Sequence, residues 1–130
     1  MTTEVVVDSS AILALAFRER GLEHVAVALP DATISSVNLT EVASKLLDSG
    51  LSPEQVERQL DDYGLVVADF DRDLAMRAAL LRPTTRHKGL SLGDRACIAL
   101  AMREKLPVMT ADRVWTDLDL PVEVVLIRGS

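Results

Sequence analysis

Residues 90–112, LSLGDRACIALAMREKLPVMTAD, decide the fold of this 130-residue chain. The segment 92–105 is apolar on nearly all sides, which predicts a helix that lies centrally and is covered by other elements. A short apolar strand is predicted directly after it, over residues 107–110. An apolar helix followed at once by an apolar strand is typical of α/β proteins, in which helices cover both faces of a parallel sheet.

The same alternation of strands and helices runs along the rest of the chain. The pattern predicts strands over residues 5–7, 32–35, 65–68, 107–110 and 122–127. Helices are predicted over residues 9–18, 22–29, 37–48, 52–62, 72–81 and 92–105, with the longest polar loop over 82–89. We therefore predict one α/β domain over residues 1–130, a three-layer sandwich in which a small, mainly parallel sheet is flanked by helices.

Composition excludes several classes of protein. Hydrophobic residues make up 48% and charged residues 26% of the chain, which is average for a globular domain and argues against disorder. Aromatic residues are only 3%, which argues against a protein that stacks single-stranded bases on rings. The single cysteine, Cys97, excludes an internal disulfide and a cysteine zinc site. No signal peptide or membrane span is apparent, so we expect a cytoplasmic protein with no membrane partner.

Charge is distributed unevenly along the chain. The net charge is −6, but residues 1–73 hold 5 basic and 14 acidic residues, whereas residues 74–130 hold 9 basic and 6 acidic ones. The stretch 74–93 contains no acid and four bases, Arg77, Arg82, Arg86 and Lys88. Such a local basic face can attract phosphates even on an acidic protein. The alternative is a solvated helix face followed by a polar loop.

Four acids stand where predicted strands end or predicted helices begin: Asp8, Glu41, Asp94 and Asp112. Ligands of open parallel sheets bind at the carboxyl ends of the strands, so all four side chains could meet at one edge. Two carboxylates about 5 Å apart repel by roughly 3 kcal/mol at an effective dielectric of about 20. A cluster of four therefore favours a bound cation, and oxygen ligands suit Mg²⁺ or Mn²⁺. The chemistry this predicts is metal-dependent phosphodiester hydrolysis.

Each of these acids also has a purely structural explanation as a helix cap. Asp8 could cap the first helix, and Asp112 could cap a short turn before Trp115. The pairs Asn38/Glu41 and Ser91/Asp94 have the spacing of capping boxes.

Four segments together resemble the PIN-domain nucleases, and more narrowly the VapC toxins of toxin–antitoxin pairs. They are VVVDSS (5–10), VNLTEV (37–42), LSLGD (90–94) and TADRVW (110–115). The resemblance covers essentially the whole chain. It implies a small parallel-sheet fold, RNA as substrate, Mg²⁺ or Mn²⁺ as cofactor, a homodimer, and an antitoxin that occupies the active-site groove.

By position, Asp8, Glu41, Asp94 and Asp112 match the family's acidic quartet, and we assign Asp8, Asp94 and Asp112 as the metal ligands. The resemblance further implies supporting roles for Ser9 and Thr110, and it matches Asp117 only loosely to a further outer acid. We predict RNA binding by the basic residues Arg82, Arg86 and Lys88. We expect a partner surface on the first two helices, formed by Leu13, Phe17, Leu22, Val25 and Leu29.

Other interpretations stay open at this point. His87 beside Lys88 could serve metal-free RNA cleavage, although a solvated loop histidine is the simpler explanation. Cys97 is expected in the core, and Trp115 is expected to seal the end of the sheet. A catalytically silent protein-interaction module of the same fold is one alternative. A receiver domain with Asp69 as its phosphorylated acid is another, but no lysine follows the last strand.

Overall fold

The computed structural model describes residues 4–128. Its strands are β1 (Val5–Val7), β2 (Ala32–Ser35), β3 (Val66–Ala68), β4 (Val108–Thr110) and β5 (Val124–Leu126). Its helices are α1 (Ser9–Ala16), α2 (Leu22–Ala28), α3 (Ser36–Asp48), α4 (Pro53–Tyr63), α5 (Arg72–Leu80), α6 (Arg82–Thr85) and α7 (Leu92–Glu104). The predicted alternation of strands and helices is confirmed.

The five strands form one sheet in the order β3-β2-β1-β4-β5, and every pairing is parallel. β1 is the central strand: Val5 lies opposite Ala32 of β2, and Val6 lies opposite Val108 of β4. This order differs from the 2-1-3-4-5 order of flavodoxin-like folds, to which receiver domains belong. The receiver-domain alternative is therefore wrong.

Side chains of β1 alternate between the two faces of the sheet and enter two separate cores. Val5 and Val7 pack in a cluster with residues of α1 to α4. Val6 packs on the opposite side with residues of α5 and α7. Seven residues of α7 are buried, namely Gly93 and 96–101, which matches the covered helix that its apolar composition predicts. The result is the expected three-layer sandwich.

Local sequence determines where the functional helices begin. Ser35 caps α3 by accepting a hydrogen bond from the N–H of Val37 at 3.2 Å. Ser91 caps α7 in a capping box with Asp94. Because both helices start directly beside the carboxyl edge of the sheet, their first turns meet there.

The segment 82–89 is not the polar loop that its composition predicts. α6 and a following 3-10 turn (Arg86–Lys88) occupy it. Pro83 fits in the first turn of a helix, where its missing N–H costs nothing. Thr85 is buried and donates to the carbonyl of Leu81 at 2.7 Å, which anchors the turn.

The predicted partner surface also needs a correction. Val25 is fully buried in the core between the sheet and α1 to α4, so it exposes no surface. Leu13, Leu22 and Leu29 are partly buried, and Phe17 is the most accessible of the five at 43%. Within residues 4–128, no helix is long and apolar enough to cross a membrane.

Candidate active site

The structure brings the first and last of the four acids to the same edge of the sheet. Asp8 follows β1 directly, and its backbone N–H donates to the carbonyl of Met109 in the neighbouring β4 at 2.9 Å. Asp112 comes two residues after β4. Since β1 and β4 are adjacent and parallel, their carboxyl ends deliver both acids to one place.

Asp8 is the buried centre of this group, with 3% of its surface exposed. Its Oδ2 accepts hydrogen bonds from Ser10 Oγ at 2.6 Å and from Thr110 Oγ1 at 3.0 Å. Its Oδ1 is buried and has no hydrogen-bond partner among residues 4–128. Asp8 also does not cap α1 through its side chain, so the capping explanation is wrong for this residue.

Burial raises the pKa of Asp8 to about 6, against an ordinary value of 3.8. The hydrogen bonds from Ser10 and Thr110 oppose this rise, while the nearby charges of Asp94 and Glu41 add to it. Asp8 is therefore a carboxylate that the fold holds in an unfavourable environment, which is common at functional sites.

Ser10 and Thr110 connect the first acid to the last. Besides its bond to Asp8, Ser10 Oγ accepts the backbone N–H of Ala111 at 2.9 Å. Thr110 Oγ1 accepts the backbone N–H of Asp112 at 3.1 Å. These bonds position the turn after β4 relative to Asp8.

Glu41 lies in the second turn of α3, and three contacts define the place of its carboxylate. Oε1 accepts hydrogen bonds from Ser9 Oγ at 2.8 Å and from Asn38 Nδ2 at 3.0 Å. Gly93 of α7 packs directly against the carboxyl group. Ser9 thus links Glu41 to the residue next to Asp8. Because Ser35 caps α3, the capping-box interpretation of Asn38 and Glu41 is wrong.

Asp94 combines a structural role with a place in the site. Its Oδ2 accepts the backbone N–H of Ser91 at 2.9 Å, and its own N–H donates to Ser91 Oγ at 3.2 Å. The predicted capping box is confirmed. The pKa of Asp94 is raised, first by burial and then by the charges of Asp112 and Glu41, which outweigh the lowering effect of the Ser91 bonds. Asp94 is therefore both a cap and a member of the acidic group.

Asp112 caps the short 3-10 helix Arg113–Asp117, because its Oδ1 accepts the N–H of Val114 at 3.0 Å. The capping explanation thus holds for Asp94 and Asp112 and fails for Asp8 and Glu41. Glu41, Asp94 and Asp112 each use a single carboxylate oxygen for the hydrogen bonds described. The charges of Asp94 and Glu41 raise the pKa of Asp8, and the charges of Asp112 and Glu41 raise the pKa of Asp94. All four acids are therefore linked by electrostatic interactions.

The residues fit a hard divalent cation by their donor chemistry. Carboxylate oxygens are the ligands that Mg²⁺ and Mn²⁺ prefer, and the buried, unpartnered Asp8 Oδ1 is an oxygen suited to one. In the described range 4–128, no three His, Cys, Asp or Glu side chains have the spacing of a metal site as they stand. A bound ion would offset the mutual repulsion of these carboxylates.

The predicted RNA-binding residues lie beside the site in sequence. Arg82 belongs to α6, while Arg86 and Lys88 belong to the 3-10 turn after it, and all three side chains are exposed. Only Gly89 and Leu90 separate Lys88 from Ser91, which caps the helix that carries Asp94. The basic segment therefore leads directly into the acidic group.

The remaining candidates lie on the surface or in the core, outside the acidic group. His87 is exposed in the same turn as Lys88. Cys97 is fully buried, as expected, and burial raises its pKa well above the usual range. Trp115 is fully buried in the core shared with α5 and α7. Asp117 is exposed at the end of the 3-10 helix, and Asp69 is exposed after the edge strand β3.

Three residues of the site escape the sequence analysis as functional residues: Ser10, Asn38 and Gly93. Ser10 enters it only as part of a motif, and Asn38 only as a cap. The one signal in the sequence is proximity, because each lies within three residues of an acid. Their contacts depend on chain segments that are distant in sequence, such as Gly93 for Asn38.

Comparisons with known proteins agree with this geometry. The family model of the PIN domain matches residues 5–120. Ribonuclease VapC42 of Mycobacterium tuberculosis is 33% identical over 127 residues, covering 89% of this chain and 96% of the relative. VapC ribonuclease Mb2780c of Mycobacterium bovis matches with the same identity and coverage.

Solved structures share the fold. A toxin–antitoxin complex from Klebsiella pneumoniae contains a chain that superimposes with a TM-score of 0.76 at 20% identity, covering 98% of this chain and 100% of that one. DNA-bound VapBC from Salmonella typhimurium gives a TM-score of 0.74 at 19% identity, covering 97% and 99%. Matching sequence, fold and coverage together lead to one assignment: the chain belongs to the PIN-domain family and, within it, to the VapC ribonucleases.

Proposed function

We propose that this chain is a Mg²⁺- or Mn²⁺-dependent endoribonuclease that acts as the toxin of a toxin–antitoxin pair. The observation that carries the metal-dependent chemistry is Asp8, a buried carboxylate whose Oδ1 has no partner and which feels the charges of two further acids. A pure helix cap would use its side chain on the backbone, and Asp8 does not.

Asp8, Asp94 and Asp112 would hold the cation, and the bound ion would supply Lewis acidity toward the phosphate and lower the pKa of a water molecule. Ser10 and Thr110 orient Asp8 by occupying Oδ2, which leaves Oδ1 for the ligand. This division of one carboxylate between protein and ligand is how supporting hydrogen bonds orient metal ligands in general.

Glu41 has a different role in this scheme. Its Oε1 is occupied by Ser9 and Asn38, so Oε2 is the oxygen free of those bonds. We assign Glu41 as the group that accepts a proton from the attacking water at Oε2. Asp94 is held by Ser91 at the start of α7, which limits how far it moves when substrate enters.

RNA would approach along the basic segment. Arg82, Arg86 and Lys88 are exposed and follow one another closely before α7, and no acid lies between Leu74 and Gly93 in sequence. Their charges would attract the phosphate backbone and counteract the overall negative charge of the chain. An RNA substrate would place the activity in the cytoplasm.

Two open clefts on the α1-to-α4 side supply a surface for an antitoxin. One, of about 490 Å³, is lined by residues of α1, α2 and α4, including Leu15, Leu22 and Tyr63. The other, of about 540 Å³, lies between α3 and α4 and includes Leu39 and Leu60. An apolar antitoxin segment would fit these clefts, and the presence of this fold in toxin–antitoxin complexes supports an antitoxin as the partner.

A homodimer is the remaining part of the proposal. β3 is an edge strand of the sheet, and it exposes Val66 at 63% and Val67 at 43%. An open edge strand with apolar side chains is a surface that proteins normally cover. Light scattering of the purified chain measures this directly, and a monomer at micromolar concentration would contradict the dimer.

The activity itself is tested with purified protein and a labelled RNA. We expect cleavage with added Mn²⁺ or Mg²⁺ and none in excess EDTA. Asp94→Asn should abolish cleavage, whereas Asp48→Asn, which changes an exposed acid at the far end of α3, should leave it unchanged. Full cleavage in EDTA would contradict the metal mechanism and favour His87. Absence of cleavage under all conditions would favour the silent interaction module.

A further inference from the structure

Asn38 is a fully buried polar residue whose side chain bridges two helices. Its Nδ2 donates to Glu41 Oε1 at 3.0 Å within α3, and to the backbone carbonyl of Gly93 in α7, also at 3.0 Å. Both protons of the amide are therefore used, on partners 3 and 55 residues away. Since both partners are acceptors, the NH₂ group rather than the oxygen must face them.

The amide is not explained by capping or by stability alone. Ser35 caps α3, so Asn38 has no role at the helix end. Its Oδ1 is buried and finds no partner in the part of the chain that the structure describes, and an unsatisfied buried acceptor destabilises a fold. An apolar side chain of the same size would avoid that cost. The feature that an apolar side chain cannot supply is the pair of bonds to Glu41 and Gly93.

Gly93 completes the arrangement from the other helix. A Cβ at this position would lie 2.6 Å from Cδ of Glu41 and still closer to both carboxylate oxygens. Carbon atoms in good contact are about 3.5–4.0 Å apart, so any side chain at Gly93 would push the carboxylate away. Glu41 is thus confined between the Asn38 amide and the Gly93 backbone, and Asp94 is the next residue in α7.

We propose that Asn38 is a positioning residue for Glu41, and that Asn38 and Gly93 together fix the carboxylate of Glu41 relative to that of Asp94. This inference rests on the proposed function, because it assigns Asn38 a role only if Glu41 and Asp94 belong to one active site. Asn38 acts through Glu41 and does not contact the reacting atoms. Its removal should therefore change what Glu41 does and leave the rest of the site in place.

The test compares Asn38→Leu, Glu41→Gln and the double variant, all in the full-length chain. Leucine branches at Cγ as asparagine does, and it removes both donors. Mn²⁺ affinity is measured by titration calorimetry, and kcat and KM are measured with a short RNA. Partners that orient a metal-site residue typically contribute about 10- to 100-fold to affinity or activity. We expect a loss of that size in kcat for Asn38→Leu, an unchanged KM and Mn²⁺ affinity, and no further loss when Asn38→Leu is added to Glu41→Gln.

Two further variants separate positioning from damage to the fold. Gly93→Ala leaves the Asn38 amide intact but displaces the carboxylate, so it should reproduce the loss seen with Asn38→Leu. Val42→Ala removes a buried apolar contact from the same helix and should lower the urea midpoint without changing kcat. If Asn38→Leu fails to fold, Asn38→Ala removes the same donors in a smaller side chain.

The outcomes are distinct. Additive losses in the double variant, or a wild-type kcat in the folded Asn38 variant, would overturn the positioning role. In that case a wild-type protein that still cuts RNA with Mn²⁺ would leave the proposed function standing. A wild-type protein that neither binds Mn²⁺ nor cuts RNA would overturn both.

Discussion

Replacing Asp8 by asparagine should stabilise the metal-free protein at neutral pH. Burial raises the pKa of Asp8 to about 6 from an ordinary 3.8. An acid with a raised pKa favours the folded state below pH 3.8, and that contribution is lost as the pH rises through about 6. At about 1.36 kcal/mol per pH unit, the difference corresponds to about 3 kcal/mol of lost stability at a pH of about 7.5. The asparagine of the variant carries no charge and would not incur this loss.

The assay is urea unfolding of wild type and Asp8→Asn in chelator-treated buffer at several pH values between about 4 and 8. The measured quantity is the difference in free energy of unfolding between the two proteins. It should shift in favour of the variant by about 2–3 kcal/mol between the two ends of that range. Asparagine also changes the bonds to Ser10 and Thr110, but that cost is the same at every pH and leaves the slope unaltered.

An exposed acid supplies the control. Asp48→Asn also removes one carboxylate, but from an exposed position, and serves as the matched control for the loss of a charge. A difference between wild type and Asp8→Asn that stays constant over the whole pH range would refute the reasoning. It would mean that the Asp8 carboxylate is solvated in the folded protein.

Three further outcomes are expected. Neutralising Arg82, Arg86 and Lys88 together should weaken RNA binding and reduce the slope of log affinity against log salt by about 2, at about 0.7 per phosphate contact on a single strand; an unchanged slope in filter-binding titrations would place the RNA path elsewhere. Ser10→Ala leaves the Ala111 N–H without its acceptor and should lower the free energy of unfolding by about 1–3 kcal/mol, measured in urea; wild-type stability would mean that this bond is replaced by water. Phe17→Glu should weaken the antitoxin complex more than RNA cleavage, and a variant that becomes monomeric in light scattering yet binds the antitoxin fully would reassign this surface to self-association.

Much of the architecture was predictable because it depends on local signals. Short apolar runs predict β1, and the serine cap at Ser91 predicts the start of α7, each within a residue or two. The same signals identify three of the four acids, Asp8, Asp94 and Asp112, which follow a strand or lie in the first turn of a helix. The segment 82–89 misled the prediction because its composition is polar. What makes it helical is the burial of Thr85 and its bond to Leu81, which composition does not reveal.

The supporting contacts of the site were beyond prediction for a different physical reason. The Asn38 side chain donates a hydrogen bond to Gly93, 55 residues later, and the Ser10 hydroxyl accepts one from Ala111, 101 residues later. No periodicity or local spacing encodes such pairs. They exist only because the strand order places β1 between β2 and β4.

That strand order also has a consequence for synthesis. The Thr110 hydroxyl that holds Asp8 lies 102 residues after it, and β4 is the strand that carries it. A nascent chain that has not yet emerged past Thr110 lacks β4, one of the two neighbours of β1, together with this hydroxyl and Asp112. Contacts of such long sequence separation also form late and slowly in folding. Asp8 and Asp112 therefore come together only after residue 112 has been synthesised and β4 has paired with β1, so a nascent chain without β4 holds Asp8 without the Thr110 hydroxyl that orients it.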